Sequence, residues 1–253
     1  MSYQTDLTDS QWEIITSIQQ DNRQRKHSLR MLWNAIFYVV KTGCQWRMLP
    51  QEFPPWQTVY YYYGQWRDRG VIEEVHARLR ASVRQAAGRD PSPSMAVADS
   101  QSVKTDHSGP HRGIDGGKGV KGRKRHMVVD MMGLVLAVMV GAAKDNDKRG
   151  VRVVLQQVRD RFDRLRVILV DGGYKSHQLA AWVHRHIGCR LELITRTSRP
   201  GEFQVVPKRW VVERTFAWFN NYRRLSKDYE FRTDTSETMI YLAMIRLMLN
   251  RLA

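Results

Sequence analysis

The chain has 253 residues, 42% of them hydrophobic, and 41 lysines and arginines against 25 acids give a net charge of +16. That apolar fraction excludes a disordered chain, and the length suits one large domain or a small domain joined to a medium one. Two cysteines, Cys44 and Cys189, with no CxxC and no Cys/His cluster, argue against a disulfide framework and a zinc site. A pI near 10.2 carries a cost in self-repulsion that is usually tolerated where the partner is a polyanion, nucleic acid first among them. The stretch MSYQTDLTDSQWEII lacks a basic region followed by an apolar one, so no secretory signal is expected. The longest apolar run, LVLAVMVGAA (134–143), is too short to span a bilayer and fits a buried strand. A cytoplasmic protein with no membrane partner is expected.

Up to about residue 90 the patterns are helical. LTDSQWEIITSIQQ starts at a cap, Thr8 or Asp9, and puts Trp12, Ile15 and Ile18 on one face. SLRMLWNAIFYVVKTG has Ser28 as cap and Gly43 as stop, with Leu32, Ile36, Val39 and Val40 inward. WQTVYYYYGQWRDRG forms a helix ending at Gly70, and VIEEVHARLRASVRQAAG another ending at Gly88. Four consecutive tyrosines must face several directions on a helix, so they read as packing residues. Trp33, Trp46, Trp56 and Trp66 read as core. RDPSPS is a linker of turn formers.

Beyond the linker, strands alternate with helices. SMAVAD (94–99) is a strand ending on an acid, and SVKTDHSGPHRGIDGGKGVKGRKR reads as a long basic loop. HMVVDMMGLVLAVMVGAA reads as two strands around Met132-Gly133. A helix over roughly 147–160 capped by Asp145 or Asn146, a strand RVILVD (166–171), a helix stopped by Gly188 and a strand RLELI follow. A helix carrying Glu213 and a C-terminal helix capped near Ser236 complete the order. This is an α/β pattern with a mixed sheet, preceded by an all-α N-terminal module: residues 1–90 and 91–253.

AVAD and VILVD each deliver an aspartate, Asp99 and Asp171, to a strand end, where ligands bind in open α/β sheets. Two neighbouring carboxylates repel unless a cation lies between them. Oxygen ligands without nearby His or Cys favour Mg²⁺ or Mn²⁺. A helical carboxylate, Glu213, is the candidate third ligand. Each acid also has a plain reading. Asp171 opens a good turn in DGGY, Asp99 can simply leave its strand, and Glu213 can pair with Arg209 on a helix surface.

Six stretches carry a family likeness: LRMLWNAIFYVVKTGCQWRMLPQEFPPWQTVYYYYGQW, DSQSVKT, GGKGVKGRKRHMVVD, LVDGGY, RWVVERTFAWFNNYRRLSKDYE and IYLAMIRLMLNRLA. The chain resembles a bacterial DDE transposase of the insertion-sequence-five type, within the broader insertion-sequence-four group, from about residue 7 onward. The resemblance implies a ribonuclease-H-like catalytic core with Asp99, Asp171 and Glu213 as catalytic triad and metal ligands. The family's arginine before the glutamate matches Arg209, whereas its tyrosine falls on Val206 and its later basic residue on Asn220 or Asn221, leaving Arg223 and Arg224 as the nearest substitutes. The implied reaction is cleavage and strand transfer at insertion-sequence ends. Two ions about 3.5–4 Å apart would clamp an in-line displacement without a covalent protein–DNA intermediate. Asp99 would bridge the ions, Asp171 would hold one and Glu213 the other.

The expected partner is double-stranded DNA, both terminal inverted repeats and target, with a homodimer to synapse two ends. Candidate backbone contacts are Lys104, Lys118, Lys121, Arg123, Lys124 and Arg125 around the glycine-rich stretch, and Arg209, Arg214, Arg223 and Arg224 around Glu213. On that helix, positions 209, 213, 216, 217 and 220 share one side, with Val211, Val212, Trp218, Phe219 and Tyr222 toward the core. A nuclease without strand transfer, a catalytically dead DNA-binding protein and a basic ribosome-associated protein are the rival readings, and the last gives no reason for three acids at these positions.

Overall fold

The structure is a computed structural model that describes residues 3–21, 23–106, 109–194 and 210–253. In chain order come α1 (Asp9–Gln19), α2 (Leu29–Thr42), α3 (Trp56–Asp68), α4 (Val71–Ala86), β1 (Met95–Lys104), β2 (Gly113–Asp115), β3 (Val120–Asp130) and β4 (Val135–Ala142). There follow α5 (Asp147–Gln156), β5 (Val167–Val170), α6 (His177–Ile187), β6 (Arg190–Leu193), α7 (Trp210–Phe219), α8 (Arg223–Ser226) and α9 (Thr233–Leu252). The protein is a mixed α/β chain of two compact units: Met1–Arg89 with Phe219–Tyr229 and Asp234–Ala253, and Asp90–Trp218 with Glu230–Thr233.

The helical unit is set up by local signals. Thr8 and Gln11 form a reciprocal capping box on α1, with Gln11 N donating to Thr8 Oγ1 at 3.2 Å. Ser28 caps α2, and Gly43 ends it in the left-handed region at φ 73°. The tyrosine run does face several ways: Tyr60 and Tyr61 are exposed while Tyr63 is buried. Trp33 and Trp66 stack in the core at 4.8 Å, and Trp46 and Trp56 are only half-buried.

The C-terminal helix α9 groups with these N-terminal helices, although the sequence pattern assigned it to the α/β part. Its residues from Met239 to Ile245 are all buried, so it must be surrounded. Gln11 Nε2 donates to Asn250 Oδ1 at 3.0 Å, Tyr63 Oη to the Thr235 carbonyl at 3.5 Å, and His76 packs on Tyr241 at 4.8 Å.

The second unit is a mixed sheet in the order β2-β3-β1-β5-β6, with β4 also on β3. β1, β3 and β4 are antiparallel neighbours, whereas β1-β5 and β5-β6 are parallel. Ala96, Ala98, Val128, Val151, Leu155 and Ile168 belong to one core cluster, which seats α5 on one face of the sheet.

The stretch read as a long basic loop carries the end of β1, all of β2 and the start of β3. β1 continues past Asp99 to Lys104, and β3 begins at Val120, paired from Ala96↔Asp130 to Lys104↔Gly122. The buried basic residues Arg123, Lys124 and Arg125 survive in a strand because each finds partners there. Arg123, wholly buried, donates to the carbonyls of Glu230 at 2.7 Å, Phe231 at 2.6 Å and Pro110 at 3.1 Å.

Candidate functional site

The parallel register sets Val97 of β1 beside Leu169 of β5. Asp99 and Asp171 each lie two residues beyond those partners, Asp99 still within β1 and Asp171 just past the end of β5. Both lie an even number of positions from those partners, so both belong to one face of the sheet. That is the face opposite Ala98, Ser100 and α5. Each aspartate is half-buried. Asp99 Oδ1 accepts from Ser100 N at 2.7 Å. Asp171 Oδ1 accepts from Gly173 N at 3.0 Å and caps the short turn Gly172–Tyr174. The turn role foreseen for Asp171 is therefore real, and it is compatible with ligation because a carboxylate offers two oxygens.

Tyr174 senses the charge at this point. Burial pushes its phenol far above the ordinary tyrosine range, and the nearby Asp99, Asp147 and Asp171 carboxylates push it the same way. Tyr174 is thus held neutral. Asp147, in the first turn of α5, accepts from Ser100 Oγ at 2.8 Å and pairs with Lys124 Nζ at 3.1 Å. Lys124 is buried, and also reaches Asp115 at 3.4 Å and the Asp145 carbonyl at 3.0 Å. Sequence reasoning missed Asp147, Tyr174 and Ser100. The available signal was the polar alternation Ser100, Ser102 continuing a buried strand.

Glu213 is exposed on α7. The helix is anchored to the β3–β4 turn: Thr215 Oγ1 donates to the Gly133 carbonyl at 2.8 Å and Arg214 to the Met132 carbonyl at 3.0 Å. The Arg214 guanidinium also lies 4.2 Å from the Trp210 ring centre and 5.0 Å from that of Trp218. The strand alternation assigns Asp99 and Asp171 to one face of the sheet. Among the described residues no group of three His, Cys, Asp or Glu side chains is placed to hold a metal ion, so the structure does not itself gather Glu213 with the two aspartates. In chemical type the pair fits a hard divalent cation: two carboxylates with no competing soft donor.

The expected backbone contacts divide by exposure. Lys104, Lys118, Lys121 and Arg223 are exposed. Lys118 Nζ is 3.5 Å from the Ser100 carbonyl. Arg123, Lys124 and Arg125 do not stand on a solvated loop as expected; they are buried and engaged, Arg125 with Gln101 Oε1 at 3.2 Å. Arg214 is half-buried between its tryptophans, and Arg224 donates to the Cys44 carbonyl at 3.3 Å. Arg209 and Val206 lie outside the described residues. Phe216, expected on the Glu213 side, is buried, and α7 ends at Phe219, so Asn220 and Tyr222 are not on it. Among the described residues no helix is long and apolar enough to cross a membrane.

Residues 90–248 match the family described as "Transposase DDE domain", and residues 7–76 match "Putative transposase of IS4/5 family". The chain is 30% identical over 140 residues to "Putative transposase for insertion sequence element IS402" of Burkholderia cepacia, covering 52% of this chain and 64% of that protein. It is 29% identical over 77 residues to "Uncharacterized protein y4sN" of Sinorhizobium fredii, covering 29% of this chain and 62% of that protein. The chain thus spans a little under two thirds of each of these curated relatives.

Proposed function

From the premise that this chain belongs to the transposase DDE-domain family, of IS4/5 type, we propose that it cleaves and joins DNA at the ends of an insertion sequence by metal-dependent phosphoryl transfer. The observation that supports this reading is the parallel register of β1 and β5, with Val97 beside Leu169 and an aspartate two residues further along each segment. Asp99 and Asp171 would hold divalent ions, Mg²⁺ or Mn²⁺, and Glu213 would complete the ligand set from α7 within a ribonuclease-H-like core. Such ions supply charge to the attacking and leaving oxygens of an in-line displacement.

The chain's own residues do the remaining work. The half-buried aspartates, fixed by Ser100 N and Gly173 N, present oxygens in a constant orientation. Tyr174, kept neutral, offers no competing phenolate. The exposed Lys104, Lys118, Lys121 and Arg223 supply contacts to the DNA backbone, whose strength falls with salt. Water, and then a freed 3′-hydroxyl, serves as nucleophile, so no side chain is bonded to DNA. Two ends must be held together, which favours a homodimer on the DNA.

The test is Mg²⁺-dependent cleavage of DNA carrying element ends, with a pre-cleaved substrate to score joining to target. Asp99→Asn, Asp171→Asn and Glu213→Gln should each lower both reactions by roughly 10³-fold or more, the scale of losing a major electrostatic contact to the transition state. Thermal midpoints should stay close to wild type. Full activity in Asp99→Asn would sink the proposal, and cleavage without joining would reduce it to a nuclease.

A further inference from the structure

The helical unit contains a cavity of about 500 Å³, within the size range of small-ligand sites. Its walls include the buried rings of Phe37 and Tyr222 and the half-buried ring of Tyr38. Two cations line it. Lys41 Nζ lies 5.4 Å from the Tyr222 ring centre and donates to the Asn221 carbonyl at 2.8 Å. Arg246 lies 5.8 Å from the Phe37 ring centre and donates to Gln11 Oε1 at 3.1 Å, the Asp6 carbonyl at 3.3 Å and the Gln4 carbonyl at 3.4 Å.

All of those acceptors are neutral, and among the described residues no carboxylate forms an ion pair with Arg246 or Lys41. Burial pulls the Arg246 guanidinium below the ordinary arginine value, yet arginine keeps its charge in proteins. Thr5, also in the lining, has a buried hydroxyl without a hydrogen-bond partner among the described residues. Arg246 is half-buried, and the Asp6 carboxylate acts on it electrostatically without a direct ion pair. A half-buried cation bonded only to neutral acceptors and an unsatisfied hydroxyl both carry a free-energy cost, which an anionic ligand rich in acceptors would relieve. The aromatic walls ask for a flat ring on the same ligand.

We propose that this cavity binds a nucleotide, its phosphate held by Lys41 and Arg246 and its base packed against Tyr38 and Tyr222. Arginine matches phosphate geometry bidentately, and aromatic side chains accept any base through its π-face. The nucleotide is either free or an unpaired unit of a nucleic-acid strand. The site is built from the helical unit alone, so it stands or falls apart from the roles of Asp99, Asp171 and Glu213.

Fluorescence of 2-aminopurine distinguishes the sources: one arm uses its deoxynucleoside monophosphate, the other a hairpin duplex with 2-aminopurine as a single unpaired 3′ overhang. Saturable quenching is expected in at least one arm, and the arm identifies the source. Tyr38→Leu and Lys41→Gln should each weaken it roughly tenfold. Tyr38→Phe, which keeps the ring, and Lys26→Gln, which removes an exposed charge outside the cavity, should bind as wild type. Inorganic phosphate should compete only weakly. Absence of quenching in both arms overturns the proposal, as do unchanged binding by Tyr38→Leu and Lys41→Gln and competition by phosphate as strong as by the nucleotide. Urea unfolding of each variant confirms that a loss of binding is not a loss of fold.

Discussion

Gly150 offers a sharp test of how the α/β unit is packed, because two rules predict opposite signs for Gly150→Ala. It lies within α5, where replacing glycine by alanine should stabilise a helix by about 1 kcal/mol. It is also pressed against the His126 imidazole of β3. A Cβ there would fall 2.7 Å from His126 Cδ2 and nearer still to Cε1 and Nε2. The ring is only 1% exposed, so it has nowhere to retreat. Overpacking of this kind costs about 1–3 kcal/mol, so a net loss of about 1–2 kcal/mol is expected after the helix gain. In a His126→Ala background the obstacle is gone, and Gly150→Ala should become stabilising by up to about 1 kcal/mol. The assay is urea unfolding of the wild type, both single variants and the double variant, read as a double-mutant cycle. A raised unfolding midpoint for Gly150→Ala alone would refute the packing argument, as would additivity of the two changes.

His126 also makes stability depend on pH. Burial lowers its pKa from 6.5 to about 4, with Asp147 and Asp145 opposing and Lys124 assisting that shift. The folded chain therefore resists a proton that the unfolded chain accepts. Stability from this group is fully present above pH 6.5 and is lost as pH falls toward 4, by about 3 kcal/mol in all. His126→Leu should flatten that part of the pH profile measured by thermal unfolding between pH 4 and 7; an unchanged slope would show that the ring is not buried neutral. Arg123→Met leaves three carbonyls without their donor and should destabilise by about 3 kcal/mol or more, seen as a lower thermal midpoint. Lys121→Gln should leave that midpoint unchanged and reduce the slope of log affinity for DNA against log salt by about 1.

What could be read from the sequence was local, and what could not was held in place from far along the chain. Ser28 and Gly43 bound α2, and Gly188 ends α6, because caps act through neighbouring backbone groups. The strand leading to Asp99 was visible from its apolar run. Its continuation to Lys104 was not, because serines and a glutamine look like an exit from a sheet unless their partners are known. KGRKR read as solvated charge for the same reason: the carbonyls of Glu230 and Phe231 that hold Arg123 are more than a hundred positions away. The placing of α9 with the N-terminal helices rests on contacts such as Gln11 with Asn250, which no periodicity reveals. Of the site, Asp99 and Asp171 stood out as strand-end acids, where such sheets bind ligands; β1 in fact runs on past Asp99 to Lys104, and only Asp171 follows the end of its strand. Asp147 did not stand out, since its approach to Ser100 depends on α5 crossing the sheet.

The neighbours of Asp99 also explain how its facing is decided. Ala96, Val97 and Ala98 are all buried, so this part of β1 is apolar on both faces. Hydrophobic burial alone then discriminates poorly between the observed register and one shifted by a single residue, which would turn every side chain over. The polar residues that follow do discriminate. On the α5 face Ser100 donates to Asp147 and Ser102 to Asp115 at 2.5 Å, while Lys124, opposite Ser102, is paired with both acids. On the other face Gln101 meets Arg125. A one-residue slip of β1 would strip Ser100 and Ser102 of these partners and turn Asp99 toward Val151 and Leu155. An unpaired carboxylate against an apolar core costs several kcal/mol, enough to exclude the alternative. The Ser100–Asp147 and Ser102–Asp115–Lys124 contacts therefore lock the register of β1 from the face opposite Asp99, and that register keeps Asp99 turned away from α5.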